Sequence, residues 1–342
     1  MLVALGAATY ANAFRNPFIW DDDPAIVNNA TIRQLWPLTV PLTPPLETAM
    51  SGRPVANLSL AINYAVSGLD VTGFHAFNLA VHLLCGLLLF AIVRQTLPRV
   101  PAAQGWSIDA VAASGAAVWL VHPLASEVVD YVTQRTESMM ALFYLLTLYA
   151  AIRSRRSPRP RRWDALAVAC CAAGIATKES MATAPLVVLL YDCAFEFESV
   201  AAALRARRML YAGLAATWVE LAVIMWRWPR STVGLDAVSP LTYLLNQAEI
   251  VPHYLTLVLW PRALILDYGL PRVLTIGDVV PGLVLLLVLV ASAATRSCAG
   301  RSQVSWRPPS SSRSRRRPVS SRSRAKRARS GGCICRWPPS RS

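Results

Sequence analysis

The sequence predicts an all-α, polytopic integral membrane protein, and three observations predict it. Hydrophobic residues make up 54% of the 342 and charged residues only 15%, with a mean hydropathy of +0.39. That balance is too apolar for an ordinary soluble domain and excludes a disordered or nucleic-acid-binding chain over most of the length. The formal net charge of +15 is confined to one end, because residues 296–342 hold 14 of the 34 basic residues and no acid, leaving 20 basic against 19 acidic residues in the body. Apolar residues are also gathered into runs. A helix rising about 1.5 Å per residue needs about 20 of them to cross a hydrocarbon core of about 30 Å.

The opening MLVALGAATYANAF is expected to be a first span, shortened by a start placed too late, rather than a cleaved signal, because it lacks a basic leading segment. The clearest further runs are 74–97, 108–121, 138–152, 163–177, 181–197, 209–226 and 279–295. Residues 241–261 are apolar but interrupted by Asn246, Gln247, Glu249 and His253, and suit a place along the interface. The expected total is roughly eight or nine transmembrane or membrane-embedded helices. A large first extracytoplasmic loop covers about residues 15–73, where Pro17, Pro24, Pro37, Pro41, Pro44 and Pro45 permit short helices but no long one.

Arginine sets the orientation, since cytoplasmic loops retain Lys and Arg. Arg94 with Arg99, the run Arg153, Arg155, Arg156, Arg159, Arg161 and Arg162, and the group Arg205, Arg207 and Arg208 mark the cytoplasmic side. By alternation the first loop, the connection 122–137, the turn Lys178-Glu179 and the region after Trp226 share the opposite face, which holds nearly every conspicuous polar residue. Cys85, Cys170, Cys171 and Cys193 lie in apolar runs and imply no disulfide framework, and the pair Cys333 and Cys335 lacks the further ligands of a zinc site.

Four segments on that face carry chemistry. Phe18-Ile19-Trp20-Asp21-Asp22-Asp23 sets three carboxylates beside a span. Such a group can take a proton from an acceptor hydroxyl, or can simply open a solvated turn as a helix cap. His75, Asn78 and His82 fall at i, i+3 and i+7 on one stripe, which on an apolar helix reads as interhelical hydrogen bonding rather than a zinc site. The block from His122-Pro123 through Glu127 and Arg135 to Glu137, and the turn Thr177-Lys178-Glu179, bring cations to one boundary. Either they form an anion site, or Arg135 pairs with Glu127 and Lys178 with Glu179.

Taken together, Phe18-Ile19-Trp20-Asp21-Asp22, Arg53-Pro54, Gly73-Phe74-His75 with Asn78 and His82, His122-Pro123 to Glu127 to Arg135, Thr177-Lys178-Glu179 and Leu266-Asp267-Tyr268-Gly269 resemble membrane glycosyltransferases of the GT-C type. The likeness is to the transmembrane and tetratricopeptide-repeat O-mannosyltransferase-like proteins, and it covers about residues 10–290. It implies a glycosyltransferase of GT-C fold that moves a mannose-like sugar from a polyprenyl-phosphate carrier to a hydroxyl acceptor, on protein. The reaction would face the periplasm or lumen of a bacterial inner membrane or an endoplasmic reticulum membrane. By the same resemblance Asp21 and Asp22 serve catalysis, Arg135, Lys178 and Arg53 face the lipid phosphate, and His122 and Glu127 shape the pocket. No resident cofactor is implied; the sugar-bearing lipid phosphate is a substrate, and three aspartates can hold a divalent metal without demanding one.

The expected transferase unit is residues 1–295. The family continues into helical repeats of about 34 residues, whereas residues 296–342 are Arg-, Ser- and Pro-rich and cannot bury a core. That tail is expected to be disordered, either as the product of a shifted reading frame or as an arm for RNA or anionic lipid. Two other functional classes compete: a transporter or lipid flippase, and an inactive membrane assembly fragment. Transport usually sets polar groups at the bilayer midplane, whereas here they gather at one boundary.

Overall fold

The computed structural model describes residues 1–229, 239–265, 269, 272 and 274–299. Among these the chain is helical, with no strand, as the composition requires. The expected features at Leu266, Asp267 and Tyr268, the pair Cys333 and Cys335, and nearly all of the basic tail lie outside the described residues.

Helix α1 (Leu2–Thr9) leads into a loop with short helical turns at Ala13–Arg15, Asp23–Val27 and Ala30–Ile32, matching its proline content. Helix α2 (Pro54–Ser67) starts on a proline that needs no N–H partner. It ends at Gly68, whose φ of +59° no side-chain-bearing residue adopts cheaply. Asp70 then caps α3 (Val71–Thr96) by accepting from the Thr72 N–H at 3.0 Å. Helices α4 (Ile108–Leu120), α5 (Glu127–Asp130), α6 (Arg135–Ser154), α7 (Pro160–Ile175), α8 (Ala184–Phe195), α9 (Val200–Ala206), α10 (Arg208–Arg227), α11 (Pro240–Leu259) and α12 (Ile276–Ala299) follow.

Every apolar run anticipated from the sequence therefore becomes a helix, but the helices differ in reach. Among the described residues two are long and apolar enough to cross a membrane, Val71–Arg99 and Arg208–Arg227. A third crossing exists if Ile108–Leu120 and Pro123–Asp130, bent by 58°, count as one. Helices α7 and α8 have 16 and 12 residues, short of the about 20 a straight crossing needs. Helix α6 has 20 residues but carries Arg135, Glu137 and Arg153.

Helix α3 packs on α4 and α6, α6 on α7, and α7 on α10. One core joins α6, α7, α8 and α10 through Ala151, Cys171, Ile175, Met181, Val188 and Leu214. A second lies under the first loop, where Ile26, Ile32 and Met50 meet Leu60, Phe74 and Val132. This second core anchors the proline-rich stretch before α2, whose helical turns are all short. On the outside, α10 leaves Met209, Val219, Val223, Met225 and Trp226 exposed, an apolar surface of the kind lipid covers.

The two ends of the bundle differ in chemistry. At one end Arg94 pairs with Asp109 at 2.7 Å, Arg99 and Arg155 with Glu196, and Arg207 with Asp192 and Asp164. At the other, the first loop meets residues 122–137 through Asp22 and Thr133, and Lys178-Glu179 through Arg53 and Glu179.

Candidate functional site

The three aspartates after Trp20 are not equivalent. Asp21 and Asp23 are exposed, whereas Asp22 is fully buried. Asp22 Oδ2 accepts from the Ile19 N–H at 3.1 Å, and Oδ1 accepts from the Thr133 N–H at 2.8 Å and from the Thr133 hydroxyl. Burial raises the Asp22 carboxyl above its ordinary value, and these hydrogen bonds oppose the rise. Its lone pairs are spent on the loop, so Asp22 fixes structure and leaves the exposed Asp21 and Asp23 as the carboxylates that can meet a ligand.

Asp21 is held by its backbone, the N–H donating to the Tyr131 hydroxyl at 3.1 Å. Burial, with the charges of Asp21 and Asp22, pushes the Tyr131 phenol upward, so it stays protonated at neutral pH. The preceding Trp20 has φ +51° and is 60% exposed. A left-handed conformation costs a non-glycine residue roughly 1 kcal/mol. Here it turns the chain so that Asp21 faces out while Asp22 faces in.

Thr133 stands just before α6, and the next residues collect the cations. Arg53 Nη1 donates to the Ala49 carbonyl at 2.9 Å and reaches Thr136 Oγ1 at 3.5 Å, while Nη2 lies 3.7 Å from Glu179 Oε1. Lys178 Nζ pairs with Glu137. Glu127 accepts from Gln134 Nε2 at 2.8 Å and lies within the electrostatic reach of Glu137 and Lys178. The Val55 N–H, donating to the Ala176 carbonyl at 3.0 Å, ties the start of α2 to the end of α7 and so brings Arg53 beside Lys178-Glu179. The structure thus gathers Arg53, Lys178 and Glu127, with Glu137 and Glu179 as the acids that pair with the two cations. Pairing of Lys178 with its neighbour Glu179 is corrected to Lys178 with Glu137 and Arg53 with Glu179. The signal for Glu137 was available: a lysine in a turn with almost no loop must find its acid on an adjacent helix.

Beside this cluster lies a cleft of about 350 Å³, lined by Gly52, Ile175, Glu179, Leu221, Ile224, Met225, Trp228 and Pro229. Glu179 is the one charged residue in this lining.

Arg135 and His122 lie elsewhere. Arg135 is wholly buried, donating to Asn78 Oδ1 at 3.0 Å, Asn63 Oδ1 at 2.9 Å, the Phe74 carbonyl at 3.2 Å and Ser59 Oγ at 3.5 Å. Its guanidinium also lies over the Phe77 ring at 4.4 Å. With its donors committed it does not open toward a lipid phosphate, and it does not pair with Glu127. His122 Nδ1 accepts from the Leu124 N–H at 3.2 Å, which puts the ring proton on Nε2 and directs it to the Val258 carbonyl at 3.0 Å. Its contacts run to α11, not to Glu127.

The stripe on α3 behaves as its spacing suggested. His75 contacts the Val129 and Asn16 carbonyls, each at 3.0 Å, Asn78 donates to the Val128 and Val132 carbonyls, and His82 Nε2 meets the Leu120 carbonyl at 2.9 Å. The bonds to Val128, Val129 and Val132 hold the 122–137 connection against α3 and so set the position of Thr133.

No family profile matches the chain, and no solved structure matches it. Among curated proteins it is 29% identical over 300 residues to protein O-mannosyl-transferase Tmtc2 of Drosophila melanogaster, covering 80% of this chain and 31% of that protein. It is 30% identical over 199 residues to protein O-mannosyl-transferase Tmtc1 of the same fly, covering 55% and 22%. Protein O-mannosyl-transferase TMTC3 of Homo sapiens is 25% identical over 202 residues, covering 56% and 21%. The chain spans less than a third of the length of these relatives, which are the proteins its motifs resemble.

Proposed function

We propose that the chain is a membrane glycosyltransferase unit of GT-C type, moving a mannose-like sugar from a polyprenyl-phosphate carrier to a hydroxyl on protein at the extracytoplasmic face. The curated relatives are named protein O-mannosyl-transferases, which supports the sugar and the acceptor. One observation carries the reading within this chain. The short segment from Thr133 to Glu137 ties the aspartate loop, through Asp22, and the Arg53–Lys178 cluster to one place beside an apolar cleft. A carboxylate, two cations and an apolar groove are what a lipid-phosphate sugar donor calls for.

In the proposed reaction the acceptor oxygen attacks the anomeric carbon and its proton passes to Asp21. The bond from that carbon to the phosphate oxygen breaks, and the lipid phosphate leaves with its charge against Arg53 and Lys178. Glu137 and Glu179 hold those side chains in place beforehand and yield them as the phosphate arrives. Asp22 and Arg135 position this machinery without touching substrate, and Glu127, through Gln134, shapes the surroundings. The isoprenoid chain would lie against Leu221, Ile224 and Met225. We place the unit at residues 1–295, with a first outer loop over about 15–73, eight or nine membrane-embedded helices and the active site in the periplasm or lumen.

The test is incubation of membranes containing the full chain with radiolabelled polyprenyl-phosphate mannose and with GDP-mannose in parallel. Label passing from the lipid donor to protein, and lost in Lys178→Met, supports the reading. Transfer from GDP-mannose with the polyprenyl carrier absent, or movement of intact carrier across the bilayer without transfer, contradicts it.

A further inference from the structure

The opposite end of the bundle carries a second feature that the proposed reaction does not use. Between residues 153 and 163 the sequence has six arginines and no acid. Three of them are already engaged: Arg153 lies over the Trp163 ring at 5.5 Å, Arg155 reaches Glu196 at 3.5 Å, and Arg156 donates to the Gln95 carbonyl at 2.9 Å. Arg159, Arg161 and Arg162 are exposed and make no ion pair among the described residues. The acid nearest in sequence, Asp164, is taken by Arg207 at 3.1 Å.

Arg159 and Arg162 line an open cleft of about 540 Å³ whose other walls are Ser157, Pro158, Trp163 and Leu166. Leu166 is 42% exposed, so the cleft passes from cationic to apolar within two turns of α7. Its depth is fixed by two contacts. The Arg156–Gln95 bond holds the cleft's loop to the end of one candidate span, and Arg207, which precedes the other candidate span, bonds the Ala151 carbonyl at 3.0 Å and Asp164. The cleft therefore sits at the level where both long apolar helices end, the depth of lipid headgroups.

From this juxtaposition we infer that the Arg159–Arg162 cleft is a binding site for an anionic phospholipid, its phosphate between the two guanidinium groups and its acyl chain along Trp163 and Leu166. Arginine suits a phosphate because its planar fork can donate two bonds at once. The apolar wall supplies what a free phosphate would not use. The inference is independent of the proposed transferase activity.

The test is native mass spectrometry of the full chain in a neutral detergent with phosphatidylglycerol, phosphatidylcholine or inorganic phosphate. Wild-type protein should retain phosphatidylglycerol over phosphatidylcholine, and inorganic phosphate at the same concentration should not displace it. The double variant Arg159→Gln/Arg162→Gln should lower retention on the order of tenfold. Arg161→Gln, one residue away but outside the cleft, should stay near wild type. Equal retention of the two lipids by wild type overturns the site without reliance on any variant. An Arg161→Gln loss as large as that of the double variant would show only a diffuse field, and displacement by inorganic phosphate would show a site that reads no lipid; either result overturns the inference.

Discussion

Asp22 and Thr133, 111 residues apart, are joined twice: one carboxylate oxygen accepts both the backbone N–H, at 2.8 Å, and the hydroxyl of Thr133. With Ile19 on the other oxygen at 3.1 Å, this contact registers the first loop against the start of α6. It divides two adjacent aspartates that look alike in sequence into one that holds and one that is presented.

That division predicts different consequences for the same substitution. Asp22→Asn turns an amide N–H₂ toward a backbone N–H whichever way it flips, and should cost about 1–3 kcal/mol of stability. Asp21→Asn changes an exposed carboxylate and should leave the melting temperature of the purified protein unchanged. Equal melting temperatures for Asp22→Asn and wild type would remove the structural role.

The titration of Asp22 has a defined sign. Its folded pKa lies above the ordinary 3.8, so its protonated form contributes stability that is fully present below that value and lost as pH rises through the folded pKa. The margin by which wild type outlasts Asp22→Asn in thermal denaturation should therefore widen as the pH falls from about 7 toward 4. A margin that narrows on acidification would contradict the burial of this carboxyl.

Arg135→Met should destabilise the fold by about 3 kcal/mol or more, because the Asn63 and Asn78 amide oxygens and the Phe74 carbonyl lose a charged donor in a dry setting. Thermal denaturation checks this. A variant with wild-type stability and a weakened donor KM would instead place Arg135 at the phosphate.

Lys178→Met should reduce kcat/KM for the lipid donor about 100-fold, the scale of one lost group that stabilises developing charge. Glu137→Gln should cost about tenfold or less, since on this account it only restrains the lysine. Steady-state kinetics with a polyprenyl-phosphate sugar give both numbers, and a larger loss in Glu137→Gln than in Lys178→Met would reverse the assignment.

The helical class was legible in the sequence, because composition and apolar runs are local properties, and so was the meeting of the first loop with residues 122–137. The spacing of His75, Asn78 and His82 also sufficed, since a polar stripe on an apolar helix has few options. Partner choice was not legible. Arg135 is satisfied by Asn78, Asn63 and Ser59, between 57 and 76 residues away, and nothing in its own neighbourhood marks them. Neither was the difference between Asp21 and Asp22, which depends on the backbone turn at Trp20. Helix length was not legible either, because the turn Glu179–Thr183 shortens the run 181–197 to a helix of 12 residues.

The most direct test of the account compares kcat for mannosyl transfer from a polyprenyl-phosphate donor in Asp21→Asn with that of wild type, at matched expression and melting temperature. The account predicts a fall of at least about 100-fold with the donor KM little changed, the loss expected when a proton acceptor is removed. Wild-type turnover in Asp21→Asn would contradict it.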